Sequence, residues 1–187
     1  MTDFSWGAGI MFFLATVLLA ANFLMVGYMI VGMFRKDKAA PYVSSFNKEI
    51  RLMKETLHLI KGKSMVDLGC GDGKALRFFA KEFGIHGVGY DINIYAIILG
   101  SILNRWLGFR DSVQIYKKNF LKVDLSKFDY IYVYLLPHQL ADIEDWIWKN
   151  MKKDAIIIAN SFKFSKHEPY EVIKNKKGKP SIFLYKK

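Results

Sequence analysis

Val66-Asp67-Leu68-Gly69-Cys70-Gly71-Asp72-Gly73-Lys74 joins a short apolar run, Ser64 to Leu68, to a stretch of helical spacing from about Lys74 to Phe83. In that stretch Ala75, Phe78 and Phe79 fall on one face. Glycines at alternate positions let the backbone turn tightly between a strand and a helix and come close to a ligand. A dinucleotide fingerprint needs glycine at the first, third and sixth positions, and counting from Gly69 the sixth is Lys74. The phosphate-binding spacing G-x-x-x-x-G-K-[ST] is absent as well. The loop instead carries two acids, Asp67 and Asp72, which repel a pyrophosphate and can accept hydrogen bonds from an ammonium group. A nucleoside that is cationic and has no phosphate fits this turn, and S-adenosylmethionine is such a molecule.

The neighbouring segments extend the same pattern. A second strand, Gly87 to Asp91, ends in an acid 20 residues beyond Gly71, where a carboxylate can accept both ribose hydroxyls of an adenosine. The bland alternative for Asp91 is a helix cap for Asn93 onward. Asn119-Phe120 closes a third strand, Val113 to Lys118, and could bracket an adenine edge and face, although core packing accounts for Phe120 equally well. Tyr132 to Pro137 closes a fourth strand, Tyr130 to Leu136, where the reacting group of an open parallel sheet lies. Nucleic-acid amino methylation usually employs Asn or Asp before Pro-Pro and an aromatic residue, and Tyr134-Leu135-Leu136-Pro137 lacks that amide or acid.

Helical spacing recurs at Phe46, Ile50, Met53, Leu57 and Ile60 behind a cap at Ser44 or Ser45, at Ile94 to Leu107, and at Leu140 to Met151. Ala155 to Asn160 is a fifth, fully apolar strand. Glu171 to Ile173 and Ser181 to Tyr185 flank a turn at Asn175 to Gly178 as a closing hairpin. Seven strands result, the first five without polar alternation, as in a parallel sheet covered on both faces.

The 187-residue chain falls into two parts. All 28 Lys and Arg residues lie from Arg35 onward, whereas Gly7 to Phe34 is a run of 28 residues without a charge. As a helix this run would reach about 42 Å, enough to cross a hydrocarbon core of about 30 Å. Trp6 and Tyr28 are candidate interfacial anchors, and Arg35-Lys36-Asp37-Lys38 is a basic stop that orients the N-terminus outside and the rest toward the cytoplasm. A signal peptide should begin with basic residues and carry a shorter apolar run. Asn22 is the strongly polar side chain of the span. These features predict an anchor over residues 1–38 and a single catalytic domain over 39–187.

The net charge of +11 suits nucleic acid, an anionic membrane or an acidic partner alike. A single cysteine, Cys70, excludes an internal disulfide, and His58, His86, His138 and His167 show no metal-ligand spacing, so no metal is expected.

Taken together, these motifs resemble the seven-strand protein-lysine methyltransferases that comprise an archaeal broad-specificity enzyme and mitochondrial enzymes acting on inner-membrane proteins. The resemblance covers nearly all of residues 40 to 187 and rests on Pro41-Tyr42-Val43, Val66 to Gly73, Gly89 to Asn93, Arg105-Trp106, Tyr134 to Pro137 and Phe162-Lys163-Phe164. It implies a Rossmann-like class I methyltransferase sheet with helices on both faces, preceded by the transmembrane helix. It also implies S-adenosylmethionine held by Asp67, Gly69, Cys70, Gly71, Gly73, Asp91, Ile92, Asn119, Phe120 and Leu135. Tyr42, Tyr134 and Pro137 are the candidate walls of the reaction pocket. The expected substrate is a protein lysine, with no nucleic acid as partner. A membrane-soluble lipid or quinone, or a non-catalytic anchored binding module, are the readings that remain beside it.

Overall fold

The computed structural model describes residues 4–34 and 46–187. The chain divides into two compact units, one holding the N-terminal helix and one holding everything from the second helix on.

The first unit is α1, Phe4–Phe34, whose side chains from Ile10 to Val26 are exposed. Within it Gly9–Gly27 is long and apolar enough to cross a membrane. The polar groups of the span are satisfied inside the helix: Asn22 Nδ2 donates to Leu18 O at 2.9 Å and Thr16 Oγ1 to Phe13 O at 2.8 Å. Asn22 therefore needs no partner helix. The side chains of Trp6 and Tyr28, the basic stop, the Ser44 or Ser45 cap and Pro41-Tyr42-Val43 lie outside the described residues.

The second unit is one seven-stranded sheet. Its strands are β1 (Ser64–Leu68), β2 (His86–Asp91), β3 (Val113–Lys117), β4 (Tyr130–Val133), β5 (Ile156–Asn160), β6 (Glu171–Lys174) and β7 (Pro180–Lys186), in the spatial order β3-β2-β1-β4-β5-β7-β6. β1 to β5 pair in parallel, and β7 pairs antiparallel with both β5 and β6. The central strands are buried almost throughout, which is why their sequences lack alternation.

Helices α2 (Phe46–Thr56), α3 (Lys74–Phe83) and α4 (Ile94–Trp106) pack through Met53, Leu57, Leu76, Phe79 and Ile97 onto one face of the sheet. On the other face α5 (Pro137–Asn150) packs through Leu140, Ile143 and Ile147. Between β3 and β4 the chain forms only two 3₁₀ turns, Phe120–Lys122 and Leu125–Lys127, which fill that face with Val123, Leu125 and Phe128.

Three boundaries differ from the sequence expectation. β4 ends at Val133 rather than Leu136, and α5 begins at Pro137 rather than Leu140. Proline suits the first position of a helix because its missing N–H would be unpaired there, and it holds Leu136 extended with ψ 154. Gln139 Oε1 then accepts from Leu136 N at 3.2 Å to finish the cap. α2 stops at Thr56, so Ile60 falls outside the helix and is exposed.

Candidate functional site

The glycine loop leaves the central strand with Gly69, Gly71 and Gly73 at φ +86, +55 and +77, a left-handed conformation that other residues adopt only at a cost. The neighbouring strand holds it in place. Gly69 N and Cys70 N both donate to Tyr90 O, at 2.9 and 3.2 Å. Gly71 N donates to Asp91 Oδ2 at 2.9 Å. The second oxygen, Oδ1, accepts from Asn93 N at 2.8 Å. The cap of α4 is Asn93, whose Oδ1 accepts from Tyr95 N and Ala96 N, so the capping alternative for Asp91 is not what the structure shows. A carboxylate has lone pairs for about four hydrogen bonds, and half-buried Asp91 keeps capacity for a ligand.

Asp67 sits in register with Gly89 of β2 and Tyr132 of β4 and is 3% exposed. Among the described residues nothing donates a hydrogen bond to its carboxylate. Burial pushes its pKa well above the usual carboxylate range, and the charges of Asp91 and Asp72 push the same way. Burying such a group without a partner is costly, so a cation arriving at this crevice meets an acid with nothing else to bind.

Asp72 differs from Asp67 in being already committed. Its Oδ2 accepts from Arg77 Nη2 at 2.9 Å, its Oδ1 from Lys74 N at 3.2 Å, and its carbonyl from Arg77 Nη1 at 2.5 Å. Arg77 is itself buried and reaches Asn104 Oδ1 at 3.0 Å, and Asn104 Nδ2 donates to Val113 O at 3.2 Å. Asp72, Arg77 and Asn104 thus tie the loop to α3, α4 and β3. The sequence reading did not identify Arg77 or Asn104; a cation on the inward face of α3 and an amide in an otherwise apolar helix were their signals.

Gly100 was also missed. A Cβ there would stand 2.3 Å from Asp72 O and 2.5 Å from Ile115 Cδ1, so α4 touches the loop backbone to backbone. Cys70 turns its side chain toward Gly89, where an added Cβ would come within 2.6 Å of the sulfur. Burial and the nearby Asp67 and Asp91 raise its thiol pKa, and what Cys70 contributes is the shape of the loop.

The remaining candidates line the same C-terminal edge of the sheet to different degrees. Leu135 meets the loop directly, with its Cδ2 3.2 Å from where a Gly69 Cβ would be. Ile92 is exposed next to Asp91. Lys118 N donates to Asp91 O at 3.0 Å, which brings the end of β3 to the site. Asn119 follows, exposed, its amide oxygen accepting from Leu121 N at 3.0 Å. Phe120 is half-buried with its ring 6.2 Å from that of Trp146. Tyr134 is half-buried and Pro137 exposed, and Tyr42 lies outside the described residues.

The loop after β5 is fixed by a carboxylate that the sequence did not single out. Fully buried Glu144 of α5 accepts from Ser165 Oγ at 2.8 Å and from the backbone N–H groups of Ser165, Lys166 and His167. His167 Nδ1 lies 2.9 Å away, and its ring stacks on Trp148 at 3.8 Å.

A parallel sheet with the last two strands reversed in order, an alternating-glycine loop after its first strand and an acid ending its second define a class I methyltransferase fold. Solved structures agree. An RNA methyltransferase from Salinibacter ruber, in complex with S-adenosyl-L-homocysteine, superposes with TM-score 0.69 at 18% identity over 79% of this chain and 93% of that one. A SAM-dependent methyltransferase from Thiobacillus denitrificans gives TM-score 0.56 at 18% identity, over 75% and 58%.

Residues 67–171 match the ANTKMT methyltransferase domain, and the chain belongs to that family. Its relatives include a protein-lysine N-methyltransferase of Saccharolobus islandicus, 30% identical over 78% of this chain and 92% of the relative. A Homo sapiens enzyme named as a lysine N-methyltransferase of ATP synthase is 29% identical over 71% of this chain and 56% of its own length. The adenine nucleotide translocase lysine N-methyltransferase of Mus musculus is 28% identical over 71% and 58%. The family named from the sequence motifs is therefore the right one.

Proposed function

We propose that the chain is a membrane-anchored methyltransferase, with an anchor over residues 1–38 and a catalytic domain over 39–187, that moves a methyl group from S-adenosylmethionine to a lysine side chain of a protein. The observation that carries this reading is the pair of acids around the glycine loop, Asp67 buried without a hydrogen-bond donor among the described residues and Asp91 clamping the turn. The names of the relatives supply the lysine.

Asp67 would take the ammonium of the donor, Asp91 the ribose hydroxyls, and Ile92, Asn119 and Phe120 the adenine, while Gly69, Cys70, Gly71 and Gly73 give the loop its shape. Leu135 closes the crevice against Gly69. When bound, S-adenosylmethionine supplies a methyl group on a sulfonium, which a neutral amine takes by in-line displacement without an intermediate on the enzyme. The protein's contribution is chiefly positioning and exclusion of water. A lysine has an ordinary pKa of about 10.4, and apolar walls favour its neutral form. Tyr42, Tyr134 and Pro137 are the walls in this reading.

The basic residues that follow α1 orient the catalytic domain toward the cytoplasm, with the N-terminus outside. Protease protection of reconstituted full-length protein tests that orientation. For the reaction, the full chain is incubated with methyl-labelled donor and native membranes, and the label is traced. Methyl-lysine in a membrane protein is the expected product; label confined to extractable lipid overturns the lysine reading.

A further inference from the structure

The outward face of α4 is not covered by the fold. Tyr95, Ile98, Leu99, Ile102 and Trp106 recur at steps of three and four, one stripe along the helix, and all are exposed: Ile98 52%, Ile102 49% and Trp106 83%. The sequence pattern led us to expect core packing for this apolar helix. The structure gives it to the inward face only, at Ile97, Gly100 and Asn104. A helix apolar on both faces belongs in an apolar environment on both, and a contiguous apolar surface of this kind marks an interaction site.

We propose that this face docks on the surface of a lipid bilayer, with α4 lying along the headgroup boundary. Three observations favour lipid as the occupant. Ile92 to Arg110 contains no Asp or Glu, and it carries Arg105 and Arg110 beside Trp106, a charge complementary to anionic headgroups. Trp106, the most exposed of the stripe, is the residue type that settles at the boundary of hydrocarbon and water. On the spanning reading of α1, on which this inference leans, the tether of residues 35 to 45 between α1 and α2 reaches at most about 40 Å fully extended. That keeps the catalytic domain close to the bilayer. Because α4 starts three residues after Asp91, docking would hold the mouth of the donor crevice at a fixed height above the membrane, within reach of a target emerging from it.

The full chain carrying Ile102→Cys, labelled with an environment-sensitive fluorophore, is reconstituted in vesicles of phosphatidylcholine and phosphatidylglycerol. Lys153→Cys, at an exposed turn beyond α5, is the comparison, and unsubstituted protein accounts for any label on buried Cys70. We expect a blue shift and loss of emission to doxyl-labelled lipid at position 102 and neither at 153, and the signal at 102 should weaken when Ile98→Glu is added or phosphatidylglycerol is left out. Flotation of the vesicles reports the anchor separately. Protein that floats with an unquenched probe at 102 overturns the docking and leaves the anchor standing; protein that fails to float overturns both. A probe shielded from water yet out of reach of the lipid quencher, with cross-linking between copies, would make the face a protein interface and overturn the proposal.

Discussion

Gly71 N donates to Asp91 Oδ2 at 2.9 Å, so the acid that ends the second strand also holds the turn after the first. Asp91→Ala removes the clamp together with the proposed ribose contact. Hydrogen bonds to a charged group contribute about 1.5–3 kcal/mol each, so donor affinity measured by calorimetry should fall about tenfold to a hundredfold, with an unchanged far-ultraviolet circular dichroism spectrum. Unaltered affinity would remove Asp91 from ribose binding.

Asp67 is expected to trade stability for binding. Burial raises its pKa, as do Asp91 and Asp72, so the native state prefers the protonated acid, and its ionisation lowers stability as pH rises from the unfolded toward the folded pKa. Asp67→Asn should therefore raise the thermal midpoint of the unliganded protein at neutral pH while weakening the donor. Wild-type affinity for the cationic donor should climb with pH as Asp67 ionises, and the variant's should stay flat. Equal affinities at every pH would contradict the ammonium assignment.

Gly100→Ala improves helix propensity by about 1 kcal/mol, but the new methyl would stand 2.3 Å from Asp72 O. Overpacking of this kind costs about 1–3 kcal/mol, and here it falls on backbone that cannot rotate away. We expect a lower denaturation midpoint in urea and a weaker donor, because the displaced residue belongs to the loop. A variant as stable as wild type would mean that α4 slides outward at no cost.

Glu144 should make the loop after β5 acid-sensitive. Burial alone would raise its pKa, but hydrogen bonds from His167, Ser165 and Lys166 outweigh it and bring the carboxyl from 4.5 to about 2. A folded-state pKa below the unfolded value contributes stability that is full above pH 4.5 and is lost as pH falls toward about 2. Between about pH 5 and about pH 3, wild type should lose more stability than Glu144→Gln, read as the difference in urea midpoints. Parallel losses would show that the carboxylate does not supply this dependence.

The parts of this fold that could be read in the sequence are those set by local chemistry. Apolar runs gave the strands within a few residues, and Gly69, Gly71 and Gly73 marked the turn because only a residue without Cβ adopts those angles freely. Contacts across the fold could not be read. Whether Gly100 was an ordinary weak point of a helix or a place of close approach depended on what faced it, and so did the pairing of Arg77 with Asp72 and of Glu144 with the loop 165–167. The last turn of β4 was misread because Tyr134-Leu135-Leu136 is as apolar as the strand before it, while Pro137 decides where the helix starts. In α4, composition revealed an apolar helix without saying which side would be covered.

One consequence of the sheet order concerns how the domain is made. Of the seven strands β7 leaves the ribosome after all the others, yet it lies between β5 and β6. Until it emerges, β5 has a bare edge and β6 has no neighbour at all, and naked strand edges invite pairing with other chains. The nascent domain must therefore be kept from sticking through nearly its whole synthesis, and cutting off Pro180–Lys186 would not trim a tail but pull the seam from the middle of the fabric.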